Sequence, residues 1–216
     1  MNHTAEIKVT GHGLVSAMPD AIQISITVIS KKPDYPQTLA HLNERVSAIG
    51  RAVSRAGTPE KVFTKSYSIE EVWSDPYELE KRAFQGYVAT QKMNVTIPLD
   101  NALLGRIVNG ISECKAAPSL RIAFVVKNFD ALKKAARIEA AHRAKEAAQD
   151  LAGASALKLV SIRSIDFSDS RVNGGDYGLS VSALAQLNGP SAPEIEPDVV
   201  SHEEVVNMVW VATPIG

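Results

Sequence analysis

The acidic residues around His202 are the group of side chains best suited to chemistry in this sequence. Glu203 and Glu204 follow the histidine directly, and Glu196 and Asp198 precede it. Oxygen-rich clusters of this kind bind hard cations such as calcium. The acidic residues do not alternate as the ligands of a calcium loop do, so we interpret the group as a solvated acidic turn.

No pairing of a nucleophile with a base is visible along the chain. The other histidines are His3, His12, His41 and His142, and no two of them have the spacing of metal ligands on a helix. The sequence also lacks a Gly-x-Ser-x-Gly elbow, a Walker loop and a paired-carboxylate signature. Catalytic triads assemble in space, so an unrecognised hydrolase stays open as an alternative. The sequence itself predicts no catalytic, metal-binding or cofactor-binding residue.

Gly11-His12-Gly13 resembles a fragment of a phosphate-binding loop. A dinucleotide fingerprint, however, needs three spaced glycines between a strand and a helix. Here the segment lies within a predicted pair of strands. We therefore interpret its glycines structurally, as positions that allow a bulge or close packing.

Cys114 is the single cysteine, so the chain cannot form an intramolecular disulfide. The adjacent Lys115 could raise the reactivity of the thiol. A lone cysteine usually acts as a small apolar residue, and this is our interpretation. The sequence begins without the basic and apolar segments of a secretion signal. We expect a cytoplasmic protein, or a periplasmic one if a signal segment precedes this sequence.

The charge balance predicts no nucleic-acid partner. The chain carries 23 basic and 24 acidic residues, a formal net charge of -1, so no global field attracts nucleic acid or an anionic membrane. One predicted helix has a basic side, which acidic residues interrupt, and Glu139 and Arg143 on it have the spacing of a favourable pair. We interpret this side as a solvated face. Its basic residues are Lys133, Lys134, Arg137, Arg143 and Lys145.

Hydrophobic periodicity places these residues on alternating strands and helices. Apolar residues alternate with polar ones over 22–28, which predicts a half-buried strand. A shorter strand precedes it, and Pro19-Asp20 marks a turn, so residues 6–30 are predicted to form a hairpin. An apolar stripe over 39–53 predicts the first helix. The chain is predicted to close with a strand over 205–211.

Two further helices have recognisable beginnings. Asp100 or Asn101 is the predicted N-cap of the second helix, and Asn128 or Asp130 that of the third. The third helix extends to about Ala152 and is rich in alanine, which allows a close approach to the element it packs on. The strand over 160–167 has a change of phase that predicts a bulge.

The order of elements predicts an α+β fold. Strand pairs adjoin without a helix between them, which favours a mostly antiparallel sheet with helices packed on one face, in the order ββαββαβαββ. We expect one domain over residues 1–216 with a long Gly/Pro-rich insert at about 170–200. A charged hairpin tip near 74–85 is predicted to protrude into solvent.

Five segments carry a family resemblance through their order and spacing. They are Gly11-His12-Gly13, Pro19-Asp20, Thr64-Lys65-Ser66-Tyr67-Ser68-Ile69, Gly86-Tyr87-Val88-Ala89, and the helix with Ala140, Ala144, Lys145, Ala148, Leu151 and Ala152. Over about residues 6–211 the chain resembles the SIMPL-domain family, which includes bacterial periplasmic immunogenic proteins. The resemblance implies an α+β fold and a tendency to self-associate. It implies no enzymatic activity, and it suggests a loose link to stress defence in bacteria and to signalling through protein contacts in animals.

We therefore predict a non-enzymatic, self-assembling or protein-interaction domain that forms a homo-oligomer. The apolar part of the insert would be costly to expose, so we expect it in a subunit interface. The alternative is a small-ligand or metal-binding stress protein with a cleft near His202 and Glu203, and the hydrolase comes after it. The predicted interface residues are Tyr77, Leu179, Val181, Leu184 and Leu187.

Overall fold

The computed structural model describes residues 4–58, 60–74, 83–114, 116–173 and 197–215. Its backbone divides into two compact units. The first unit combines the residues up to Pro19, the segment from Val125 that holds the alanine-rich helix, and the C-terminal residues from Pro197. Among the described residues, the second unit runs from Asp20 to Phe124. Each unit has a sheet of its own, packed against one helix in the first unit and two in the second, among the described residues.

The elements follow one another in the predicted order. They are β1 (Ala5–Ala17), β2 (Ala21–Lys32), α1 (Tyr35–Arg55), β3 (Phe63–Trp73), β4 (Phe84–Pro98), α2 (Asn101–Glu113), β5 (Ser119–Val125), α3 (Phe129–Ala154), β6 (Leu157–Asn173) and β7 (Val200–Pro214). The first unit contains β1, α3, β6 and β7, and the second contains β2, α1, β3, β4, α2 and β5.

The sheet of the first unit has the strand order β1-β7-β6, and β7 is antiparallel to both neighbours. The register of β1 with β7 runs without a shift from Ala5 opposite Ala212 to Ala17 opposite Val200. The register of β6 with β7 shifts at three places. The bulge that the sequence predicts over 160–167 is therefore confirmed.

Two glycines allow α3 to lie directly on β1. A Cβ atom at Gly11 would overlap the carbonyl oxygen of Ala140, and a Cβ atom at Gly13 would overlap that of Ala136. The structural interpretation of Gly11-His12-Gly13 and the close approach predicted for the alanine-rich helix are both confirmed. The buried stripe of α3 that faces the sheet consists of Leu132, Ala136, Ala140, Ala144, Ala148 and Ala152.

The second unit has the larger apolar core. Its sheet has the strand order β3-β4-β2-β5, and β4 is antiparallel to β3 and β2. Ile22, Ile24, Ile26 and Val28 of β2 are fully buried and face the core, as their alternation predicts. Strands β4 and β5 and the apolar stripes of helices α1 and α2 supply most of the rest of the core.

Side-chain caps determine where the helices begin. Asp34 accepts a hydrogen bond from the backbone N–H of Gln37 at 3.1 Å at the start of α1. Asp100 caps α2 and Asn128 caps α3 in the same way. The first backbone N–H groups of a helix have no acceptor within the helix. The side-chain oxygen of the capping residue accepts a hydrogen bond from one of them, three residues later. The predicted caps of α2 and α3 are confirmed.

Two features of the fold differ from the sequence-based expectation. The strands form two sheets, and β1 and β2 do not form the predicted hairpin, because β1 pairs with β7 and β2 pairs with β4. The final strand begins at Val200, five residues before the predicted start at Val205. Pairing with β1 along its whole length keeps the polar residues at its beginning extended.

Candidate functional site

An open strand edge is the most distinctive surface of the first unit. β6 forms one edge of the three-stranded sheet and is 17 residues long. Its apolar side chains are exposed: Val160 by 60%, Ile162 by 42%, Ile165 by 56% and Phe167 by 53%. An exposed edge strand presents unpaired backbone N–H and C=O groups, which can pair with a strand of another chain.

The position of α3 explains why these side chains are exposed. Ile162 pairs with Trp210, Ile165 with Met208 and Phe167 with Val206, so they share the face of the sheet that carries α3. α3 packs mainly on β1 and β7 and only marginally on β6. Its small side chains and the glycines of β1 draw the helix towards β1 and leave β6 without an apolar cover.

Arg137 of α3 contacts one of the exposed side chains of β6. The guanidinium carbon of Arg137 lies 4.5 Å from the ring centroid of Phe167, which is the geometry of a cation–π contact. This contact covers one end of the apolar row. Ile162 and Ile165 are about half exposed.

Charges and bulges limit how the β6 edge can pair. Lys158, Arg163 and Asp166 interrupt the apolar row, and Arg163 forms an ion pair with Glu6 of β1. Charged residues and bulges are the usual means by which edge strands avoid indiscriminate aggregation. These features restrict the strand pairings that the β6 edge allows.

Arg137 also belongs to a buried polar cluster on β7. Its Nη2 donates a hydrogen bond to Glu204 Oε1 at 3.3 Å, and His202 Nε2 lies 3.2 Å from the same oxygen. His202 is 1% exposed and Glu204 is fully buried. The ring of Phe129 packs edge-on against the imidazole at 5.2 Å between centroids. The cluster ties α3 to β7 through polar contacts.

The interpretation of the acidic residues near His202 as a solvated turn is wrong. His202, Glu203 and Glu204 lie within β7, whose alternation divides them between two faces. Glu196 lies outside the described residues, and Asp198 precedes the strand. His202 and Glu204 point towards α3, whereas Glu203 is on the other face, 3.0 Å from His12 Nδ1. Asp198 accepts a hydrogen bond from the backbone of the next residue.

Several polar atoms of the cluster are buried without a partner among the described residues. His202 Nδ1, Glu204 Oε2 and Arg137 Nε have no hydrogen-bond partner. No group of three or more His, Cys, Asp or Glu side chains within the described ranges is arranged to hold a metal ion. Among the described residues, the groups in contact with one another in this cluster are an imidazole, a carboxyl group and a guanidinium group. Its visible role is to position α3.

Four aromatic rings form a ladder on the surface of the second unit. The ring centroids of Tyr35 and Tyr87 are 5.4 Å apart, those of Tyr87 and Phe84 5.2 Å, and those of Phe84 and Trp73 5.3 Å, all with edge-to-face geometry. Tyr35, Phe84 and Trp73 are each more than two-fifths exposed. Exposed aromatic rings of this kind often contribute to protein interfaces.

The residues predicted to form the interface lie outside the described part of the chain. The segments concerned are 75–82 and 174–196. The predicted interface residues in these segments are Tyr77, Leu179, Val181, Leu184 and Leu187, and their placement stays a prediction.

The edge of β6 is a surface that the sequence did not reveal. Its apolar residues have the pattern of a core strand, and the alanine and glycine positions are the signal that could have indicated an off-centre helix.

The remaining chemical candidates have structural partners. Cys114 is half-buried, and its thiol donates to the carbonyl oxygen of Ile111 at 3.0 Å. The predicted pair on the long helix is confirmed, with Arg143 Nε donating to Glu139 Oε1 at 2.8 Å.

None of the helices in the described part of the chain has the length and apolar character of a membrane-spanning segment.

Comparison with known families gives a match over most of the chain. The chain matches the SIMPL family, described as a protein of unknown function (DUF541), over residues 7–210. The chain belongs to the SIMPL family. The match spans all ten elements except the ends of β1 and β7, so both units are parts of the SIMPL region. No curated protein matches this sequence.

Proposed function

We propose that this SIMPL-family chain is a non-enzymatic protein-interaction domain that assembles with further copies of itself through the edge of β6. The observation that carries the proposal is the row of exposed apolar side chains on a long edge strand that α3 does not cover. A loose link to stress defence, which the family resemblance implies, is compatible with such a role.

Pairing of a second strand with β6 would satisfy two requirements together. It would give partners to the backbone groups of the edge, and it would remove Ile162, Ile165 and Phe167 from water. Burying the exposed half of a large apolar side chain contributes roughly 1 kcal/mol. Several such side chains and a row of backbone hydrogen bonds, contributed by both copies, are the elements of a stable contact.

A second copy of this chain is the partner that suits the charges of the edge. Arg163 and Asp166 of β6 are both exposed and have opposite signs. Antiparallel pairing of two β6 strands about a two-fold axis between these residues places Arg163 of each copy, which also pairs with Glu6 of its own chain, near Asp166 of the other. An isologous contact of this kind closes after two copies.

The test is the mass of the chain in solution, measured by light scattering after size exclusion. We expect a multiple of 23.2 kDa and a shift to the monomer in the double variant Ile165→Asp, Phe167→Asp. The control is Met18→Asp with Leu99→Asp, which changes exposed apolar residues outside the strands. A monomer throughout a dilution series, or an assembly that survives the β6 substitutions, would contradict the proposal.

The apolar segment 179–187 is a second proposed contact, and it needs a separate variant. Leu184→Asp with Leu187→Asp is expected to lower the assembled mass if this segment lies in the interface. An unchanged mass in this variant, together with a monomer in the β6 variant, would restrict the interface to the strand edge. Circular dichroism of each variant verifies that the monomer is folded.

A further inference from the structure

We propose that the groove between α1 and α2 is a binding site for a small organic anion, in which a phosphate or carboxylate group is attached to an apolar body. The groove lies within the second unit and has a volume of about 690 Å3. Pockets for small molecules usually have volumes in this range and combine an apolar lining with a few polar groups. The proposal is independent of the β6 edge.

Small residues form the floor of the groove. Ala48 and Ala52 on one side of α1 and Ala56 at its C-cap recur at four-residue steps, and Gly110 faces them from α2. A Cβ atom at Gly110 would be 3.7 Å from Ala52 Cβ, so the helices lie close together without filling the space above the contact. This floor offers an apolar surface to the body of a ligand.

Three arginines form the polar rim. Arg51 and Arg55 lie one turn apart on α1, and Arg106 faces them from α2, against a single acidic lining residue, Glu113. Positive charge is concentrated here although the chain as a whole has a net charge of -1. Guanidinium groups bind carboxylates and phosphates through paired, charge-assisted hydrogen bonds.

The three arginines have different roles: Arg106 makes a structural contact, whereas Arg51 and Arg55 would bind the anion. Arg106 Nε donates to the carbonyl oxygen of Ala56 at 3.2 Å, at the C-terminal end of α1, where a cation is favourable. This bond orients the Arg106 guanidinium at the groove. Arg51 and Arg55 form no ion pair with any residue in the described ranges, so both remain available to an anion.

We expect a ligand with a charged group and an apolar body because the groove has an arginine rim and an alanine floor. An inorganic anion would use the rim and leave the alanine floor in water, whereas a neutral apolar molecule would leave the arginines without a partner. Asn109 adds an amide that can donate to a further oxygen. Cys114 lies at the end of the groove and places a polarisable thiol next to the ligand body.

Calorimetric titration of the full chain with phenyl phosphate tests the proposal. We expect one saturable site, and we expect the double variant Arg51→Gln, Arg55→Gln to weaken binding by about tenfold or more. The control variant Lys65→Gln, Lys92→Gln removes the same charge from exposed strand positions of the same unit and is expected to change the affinity by less than about twofold. Equal loss in both double variants would show general charge attraction and would overturn the site.

A second variant tests the apolar floor. Ala48→Leu places a larger side chain in the groove and is expected to weaken phenyl phosphate more than inorganic phosphate, because only phenyl phosphate has an apolar body. The melting temperature of each variant verifies the fold. Absence of saturable binding by the unchanged chain would overturn the proposal, as would inorganic phosphate binding as tightly as phenyl phosphate.

Discussion

Gly11→Ala is expected to lower the free energy of unfolding by about 3 kcal/mol. The new Cβ atom would overlap the carbonyl oxygen of Ala140, lie 2.5 Å from the backbone nitrogen of Ala144 and lie 2.9 Å from Ala144 Cβ. These are mostly backbone atoms of a helix, so they can give way only if α3 moves from β1. Urea unfolding followed by circular dichroism measures the loss.

The control for this prediction is Gly153→Ala. Gly153 lies in the last turn of α3, and a Cβ atom there would meet nothing within 4 Å. Alanine favours the helix over glycine by up to about 1 kcal/mol, so this variant is expected to be as stable as the unchanged chain or more stable. A loss below about 1 kcal/mol in Gly11→Ala would show that α3 can relax, and would contradict the close packing argued above.

Glu204→Ala is expected to have a comparable effect, about 3 kcal/mol of lost stability. The carboxyl group is fully buried, and it holds both Arg137 and His202. Its removal leaves a buried imidazole without that contact and leaves a void beneath α3. Arg137 is 43% exposed at its side chain, so it can turn to water and recover part of the loss.

The adjacent residue gives a matched control. Glu203 has the same side chain on the opposite face of β7, where it is 46% exposed and pairs with the exposed His12. Exposed ion pairs contribute little to stability, so Glu203→Ala is expected to cost less than about 1 kcal/mol. Equal losses in the two variants would show that the burial of Glu204 has no energetic consequence, which would contradict the role assigned to the cluster.

Both predictions bear on the proposed function. The glycines draw α3 onto β1, and the cluster of Arg137, His202 and Glu204 ties the helix to β7. Together they determine that the helix leaves β6 uncovered. If α3 were displaced towards β6, it would cover Ile162 and Ile165 and close the edge that we propose for self-assembly.

The sequence predicted those features that depend on neighbours a few residues apart. The caps at Asp100 and Asn128 were predictable because a cap is a contact between a side chain and a backbone N–H three residues later. The burial of alternate residues over 22–28 was predictable because a strand turns every second side chain to the same side. The order of elements followed from such local patterns.

The candidate sites depended on the tertiary structure. Arg51 and Arg55 have the spacing of neighbours on a helix, but the opposing Arg106 belongs to a helix that begins 50 residues after Arg51. His202 and Glu204 continue the alternation of the buried Val206 and Met208. This alternation could have predicted that His202 and Glu204 are buried, but polar side chains in a strand usually indicate exposure to solvent.

The sequence by itself therefore determined the identity and order of the elements, the caps of two helices, the family, and the small residues at which helices can approach closely. Only the tertiary structure decided which strands pair and which apolar side chains remain exposed. The physical reason is distance along the chain. Ala5 pairs with Ala212, and a period of two residues describes β1 equally well beside β2 or beside β7. Local patterns state which side of a strand is apolar, whereas contacts between distant segments decide what covers it.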